Sequence, residues 1–380
     1  MNVSLYQYEG GQWKSNPLNK PVVLSDIKLA LCFSGKEVLK SEGIYKKIKA
    51  RFPNAEIVMC STAGEIFGNT VNENSLCVAA FEFNECSIQT ASVRIQHFSN
   101  SYDAAISLMG KLSKEKLLYV MVFSDGSLVN GSELVKGLND GVEHQLLITG
   151  GLAGDGANFI STLVGLNEQP KEGEIVVIGF YGSNLLVTHG SQGGWDTFGL
   201  EKVITRSVSN VLFEIDGVNA LDLYKKYLGH DAENLPGSSL LFPLSVTIPG
   251  MDNPVVRTIL SIDEQNKSMT FAGDVPVGSK VKFMKGNFDR LTAAAATAAI
   301  MTLKEGQKAP DFSLLISCVG RKLILGPRTE EELEAVSEVF GNQTPLAGFY
   351  AYGEISPFNH GGGCQLHNQT MTITSFYELS

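Results

Sequence analysis

Internal repetition constrains this 380-residue chain more than any other feature. Residues 28–33 (KLALCF) read as an apolar strand, followed by a polar turn at 34–36 and a helical stretch to residue 52. A second strand at 56–60 ends in Ser61-Thr62-Ala63-Gly64-Glu65-Ile66, and an apolar segment returns at 76–83. The same order recurs near the C-terminus. A strand at 312–318 leads to a turn at Gly320-Arg321 and a helix over 329–340. A strand at 345–351 then ends in Tyr352-Gly353-Glu354-Ile355, and a strand returns at 369–376. A looser copy lies between them, with a strand at 117–123, a helix at 131–141, a strand at 145–149, the glycine-rich run 150–156 and a returning segment at 159–166. Units repeated in one order bury their apolar faces against one another. The strands are continuously apolar, which suits a sheet covered on both faces or packed sheet on sheet.

The expected fold is therefore α/β, with repeated β-α-β-β units forming layered mixed sheets with helices, in two lobes. Residues 200–310 differ from the repeat: an amphipathic helix at 220–228, strands at 240–248, 257–262 and 269–272, and a helix at 288–303. The boundary is soft, near 195–205, dividing the chain into 25–200 and 201–380.

Ligands in α/β sheets sit beyond the C-terminal ends of strands. On that rule Ser61, Thr62, Glu65, Asp155, Tyr352 and Glu354 are the candidate binding groups. The alternative is that the glycines beside them serve only turn geometry. Glu65 and Glu354 read either as an acid/base pair or as caps on neighbouring backbone N–H groups. Arg257 and Arg321 suit carboxylate binding, with a structural ion pair as the alternative for Arg321. Trp195, in Gly193-Gly194-Trp195-Asp196, either presents its ring to a pocket or packs as a lid between lobes.

Other chemistries are disfavoured. Cys60 at a strand end imitates a nucleophile, but no base is placed by sequence to activate it. Cys364 and His367 have C-x-x-H spacing with His360 nearby, yet positions three apart on a strand face opposite sides, so no metal is expected. The run 150–156 lacks the Gly-Lys-Ser/Thr of a phosphate loop. With 40 acidic against 30 basic residues the net charge is −10, which argues against nucleic acid and against anionic membranes. The apolar run 117–123 falls far short of the roughly 20 residues of a membrane span. The N-terminus has no basic start followed by an apolar stretch, and the six cysteines contain no C-x-x-C pair. A cytoplasmic protein with reduced thiols and no membrane insertion is expected.

Several of these segments together resemble the FIST family: 60–66 (CSTAGEI), 150–156 (GGLAGDG), 214–217 with Ala220, 317–321 (SCVGR), 348–357 (GFYAYGEISP) and 366–372 (LHNQTMT). The resemblance runs over 25–380, as the family's N-terminal half followed by its C-terminal half. It implies an intracellular sensory domain in signal transduction that binds a small molecule such as an amino acid. Some stand-alone bacterial members resemble haem-binding nitric-oxide sensors that regulate a histidine kinase or a cyclic-di-GMP enzyme. In that alternative haem is the cofactor and His367, within the family-like stretch, is the candidate ligand, with His189 and His230 less decisive. No kinase, phosphodiesterase or methyl-accepting segment is recognisable, so output is expected through a separate partner. The leading expectation is a non-enzymatic sensor with an amino acid or small carboxylate bound near strand ends between the two halves. Haem sensing is the first alternative, and a hydrolase-like enzyme using Cys60 and Glu65 the second.

Overall fold

In the computed structural model, the described residues are 1–142, 146–235, 237–251, 253–304, 308–358 and 361–379. Each repeated unit has an opening strand, a second strand parallel to it, and a return strand antiparallel to it. In unit 1 these are Leu29–Ser34, Glu56–Ser61 and Leu76–Glu82. In unit 2 they are Leu117–Ser124, Leu147–Leu152 and Glu174–Tyr181. In unit 3 they are Phe312–Cys318, Leu346–Ala351 and Met371–Glu378. A helical crossover joins the first two strands of each unit, as a parallel pair requires.

Between second and return strands, each unit sends a short crossing strand to its neighbour. Glu65–Phe67 of unit 1 pairs with the second strand of unit 3, Val164–Leu166 of unit 2 with that of unit 1, and Gly353–Pro357 of unit 3 with that of unit 2. A second exchange follows the return strand. Ser87–Arg94 of unit 1 completes the sheet of unit 2, and Leu185–Gln192 of unit 2 completes that of unit 3. The N-terminal strand Asn2–Glu9 pairs with the return strand of unit 1 and closes the cycle. All three six-stranded sheets thus share a run of five in one order, crossing, second, opening, return and then an outgoing or N-terminal strand, and the sixth strand, Gln12–Ser15, Cys364–His367 or Thr70–Asn72, adds at one edge.

The alternation hidden in each apolar strand explains how the sheets stack. Leu29, Leu31 and Phe33 point into a core shared by the three sheets, while Ala30 and Cys32 point to the helices outside. Sheet-on-sheet contact and helical cover therefore both occur, one on each face. Near the strand ends one phenylalanine from each unit meets the others, with ring centroids of Phe33, Phe123 and Phe349 at 5.0–6.0 Å.

The second lobe is an eight-stranded antiparallel sheet from the segments between 196 and 285, with the helix Ala220–Leu228 on its own core. Strand pairing does not divide at residue 200. The helix Phe288–Thr302 packs back on the strand Leu185–Gln192, and unit 3 lies among units 1 and 2. Four local expectations are corrected. The expected strand 240–248 is the end of a 3-10 helix, Gly237–Leu241, followed by the strand Leu244–Thr247, and the expected strand 257–262 is two strands, Val255–Arg257 and Ile259–Asp263. The segment 159–166 forms a strand only over Val164–Leu166, because the backbone N–H groups of 159–161 bind the Asp155 carboxylate instead of a ladder. The turn at Gly320-Arg321 is the first turn of the helix Val319–Leu325.

Parallel pairing brings backbones unusually close at Gly150 and Gly348, where an added Cβ would lie 1.8 Å and 1.7 Å from the carbonyl oxygens of Val122 and Leu315. Gly150→Ala is expected to cost about 3 kcal/mol or more, read by urea unfolding. A loss under about 1 kcal/mol would show that the sheet relaxes around the methyl group.

Candidate functional site

The loops beyond the strand ends of all three units meet in a cleft of about 340 Å³. Unit 1 contributes Lys36, Thr62, Glu65 and Asn74, unit 2 contributes Asp155 and Asn158, and unit 3 contributes Lys322. Each loop is held by its neighbours. Gly154 N donates to Ser61 O, Gly156 N to Thr62 O and Ala63 N to Tyr350 O, at 2.8–3.1 Å.

Glu65 is 1% exposed and accepts from Thr62 Oγ1 at 2.6 Å and from Ser75 N and Oγ at 3.1 and 3.0 Å. Burial pushes its carboxyl up to about 7, against the pull of those hydrogen bonds and of Lys322. Asp155 lies at the centre of a network. Its carboxylate accepts from Lys36 Nζ at 2.9 Å, from the N–H groups of Phe159, Ile160 and Ser161, and from the Tyr352 hydroxyl. Lys322 Nζ donates to Ala63 O at 2.7 Å and pairs with Glu73. Two ammonium groups and the four carboxyl groups of Glu37, Glu65, Glu73 and Asp155 therefore line one cleft.

The structure brings Thr62, Glu65 and Asp155 together and leaves the other expected residues elsewhere. Ser61 is buried in the loop framework, donating to Gly154 O and accepting from Leu163 N. Tyr352 links the cleft to a second one through Asp155 and stacks on Phe159 at 4.6 Å. Glu354 occupies the position in unit 3 that Glu65 holds in unit 1: each stands on a crossing strand, and each accepts from the hydroxyl and N–H of the residue just before the return strand. Glu354 is fully buried and burial raises it to about 8. The two glutamates keep separate partners, so they act as caps and not as a contacting acid/base pair. Unit 2 has Val164 at that register, opposite Cys60, and its strand-end carboxylate comes from Asp125, which accepts from Gly173 N at 2.9 Å.

Three expected binding residues are structural. Arg321 is fully buried and spends its guanidinium on Glu332, Gly193 O and Leu291 O. Arg257, also buried, donates to the carbonyls of Asp274, Val256 and Leu366, and desolvation lowers it to about 10. Trp195 donates Nε1 to Gln369 O at 2.7 Å and its ring packs against Gly286 and Gly193, so it joins lobes and lines neither cleft. These side chains are long and amphipathic enough to be absorbed by the lobe junction, and spacing in sequence does not reveal that.

The residues present do not fit haem at His367. Its ring is buried, Nε2 is engaged with Ser356 O at 2.8 Å, Phe358 packs edge-on at 4.5 Å, and desolvation lowers it to about 4. Neither of the two clefts has a histidine in its lining among the described residues. Cys364 points at Val135 O, no group of three or more metal-ligating side chains occurs among the described residues, and His144 and His360 lie outside those residues. Cys60 is 1% exposed within the shared core, where burial pushes its thiol up, so the thiolate that a nucleophile requires is disfavoured. All six cysteines are free thiols. No helix among the described residues is long and apolar enough to cross a membrane.

The residues that sequence reasoning passed over are Lys36 and Lys322. Lys36 stands two residues past a strand end, at the start of a crossover helix, whereas Lys322 stands four residues past one, in the last turn of Val319–Leu325, so no common sequence position marks the two.

Two measurements follow from this geometry. Arg321→Ala strands the Glu332 carboxylate and is expected to cost about 3–5 kcal/mol in chemical denaturation; unchanged stability would remove the ion pair from the account. Glu354 titrates near 8 when folded against its ordinary 4.5, so the folded state holds the extra proton between those values. Its contribution is complete below the lower value and is lost as pH rises through the upper one. Melting temperature is expected to fall from about pH 5 to about pH 8, and Glu354→Gln to reduce that slope. An identical slope in the variant would exclude Glu354 as its source.

Comparison with known proteins places this architecture. Residues 28–218 match the FIST N domain and residues 220–357 the FIST C domain. The uncharacterised proteins MT0656 of Mycobacterium tuberculosis (strain CDC 1551 / Oshkosh) and Mb0898c of Mycobacterium bovis (strain ATCC BAA-935 / AF2122/97) are 28% and 29% identical over 138 and 136 residues. Those alignments cover 35% and 34% of this chain, and the chain spans about a third (34% and 33%) of the length of these curated relatives. A solved cyanuric acid hydrolase from A. caulinodans aligns over 100% of this chain and 99% of its own, at 8% identity and a TM-score of 0.35, a likeness that supports no argument about activity. The two domain matches run consecutively over the three-unit body and the second lobe, and the chain belongs to the FIST family, whose domains are sensory domains in signalling.

Proposed function

We propose that this protein is a sensor whose ligand is an amino acid or small carboxylate, held in the 340 Å³ cleft between the two family halves. The observation that carries this reading is the charge pattern of that cleft. Lys36 and Lys322 supply two cations for a carboxylate, and the exposed carboxylates of Glu37 and Glu73 supply acceptors for an amino group. The volume suits a molecule of that size. The lining comes from 35–37, 62–65, 73–74 and 155–158 of the N-terminal half and from 319, 322 and 323 of the C-terminal half.

Signalling needs two states with different affinity for the ligand. Both lysines are already tied to the protein, Lys36 to Asp155 and Lys322 to Ala63 O and Glu73. A bound carboxylate competes for those ammonium groups, and so loosens the contact between the helix Val319–Leu325 and the loop of unit 1. That shift is read by a separate partner, of which a histidine kinase or a cyclic-di-GMP enzyme is the expected kind.

A thermal-shift screen of amino acids and small carboxylates tests the reading. A ligand at about 100 times its dissociation constant stabilises the folded state by about 2.7 kcal/mol, a shift of several degrees. Lys322→Met and Lys36→Met are each expected to weaken the responding ligand about tenfold or more. No response from any compound, or full affinity in both variants, would overturn the reading.

A further inference from the structure

A second cleft of about 420 Å³ opens between the three-unit body and the second lobe. Its chemistry is unlike that of the first. Leu128, Phe159 and Ile160 face Leu260 and Phe271 across it, and several of them stand in solvent: Ile160 is 75% exposed, Leu128 51% and Leu260 40%. Ile160 is not on a loose loop. The N–H groups of Phe159, Ile160 and Ser161 all bind the Asp155 carboxylate, and Phe159, at φ 56, is stacked on Tyr352. An apolar wall is thus held rigidly in water, which disfavours it until something covers it.

The polar end of this cleft is equally specific. Asp274 is the one charged side chain in its lining among the described residues, and Tyr352 the one other titratable group. The Asp274 carboxylate has no ion pair within 4.0 Å among the described residues, and its side-chain bond is a long one from Asn130 Nδ2 at 3.5 Å. The nearby cation, Arg257, directs its donors at carbonyl oxygens, including that of Asp274 itself, and not at the carboxylate. The acid is therefore left with acceptor capacity toward the cleft.

We propose that this inter-lobe cleft is a separate binding site for an apolar primary amine, an aromatic or branched hydrocarbon body ending in an ammonium group. The body lies against Phe159, Ile160 and Leu260, and the ammonium donates to Asp274. The site is distinct from the amino-acid cleft but touches it through one residue: Asp155 holds both the Ile160 wall and Lys36.

Isothermal titration calorimetry of the full chain with 2-phenylethylamine tests this, with phenylacetate as the charge-reversed control. The amine is expected to bind and phenylacetate not to. Asp274→Asn is expected to weaken the amine about tenfold or more, and Ile160→Ser several-fold. Ile160 is mostly exposed, so its substitution keeps the test available if Asp274→Asn fails to fold. No binding of the amine, equal binding of phenylacetate, or unchanged affinity in Ile160→Ser or in folded Asp274→Asn would overturn the proposal.

Discussion

The exchange of crossing strands is the constraint on which the rest of this structure depends. No unit completes its own sheet: each second strand is bordered by a segment sent from another unit. The cycle forces the loops after the three second strands to meet, because each chain must turn at its strand end to reach the neighbouring sheet. Backbone hydrogen bonds between those loops follow from the crossing, and the cleft lined by Lys36, Glu65, Asp155 and Lys322 lies where they converge. The cleft is a by-product of the topology before any side chain is considered.

The side chains then break the threefold pattern in a directed way. Units 1 and 3 keep a buried glutamate on the crossing strand, capped in the same manner by Ser75 and by Thr370, whereas unit 2 has Val164 there and draws its carboxylate from Asp125. Glu65 is itself buried, but its loop borders the cleft that Lys36 and Lys322 line. Around Glu354 the second lobe and the buried Arg321–Glu332 pair close the equivalent space. One geometry thus yields an accessible, charged cleft in one unit and a sealed core in another. Desolvation raises both glutamates above the ordinary carboxylate range.

Asp155 joins the parts that differ most. One carboxylate fixes the backbone of 159–161, accepts from Tyr352 of unit 3 and pairs with Lys36 of unit 1. Charged hydrogen bonds of this kind are stronger than neutral ones, and several on one group make its position rigid. The same group therefore touches the linings of both clefts.

The repeat, most of the strands and helices within it, the α/β class and the family membership were legible in the sequence, because apolar runs and turn glycines report local geometry and short-range order. Thr62, Glu65 and Asp155 were legible for a related reason: a polar residue just past a strand end has few places to go. Pairing between units was not legible, since strands such as Glu65–Phe67 carry too few residues to name their partner. Nor were the roles of Arg257 and His367, whose side chains reach carbonyls more than ten residues away in sequence, while for Arg321 and Trp195 the sequence left the ion-pair and inter-lobe packing roles open beside ligand binding. Lys36 and Lys322, 286 positions apart, face one cleft only after the strand exchange is complete. The sequence alone determined which segments are strands and which strand ends are polar. Tertiary structure decided which of those ends meet and which cations are free of the core, because both depend on long-range contacts that no local pattern encodes.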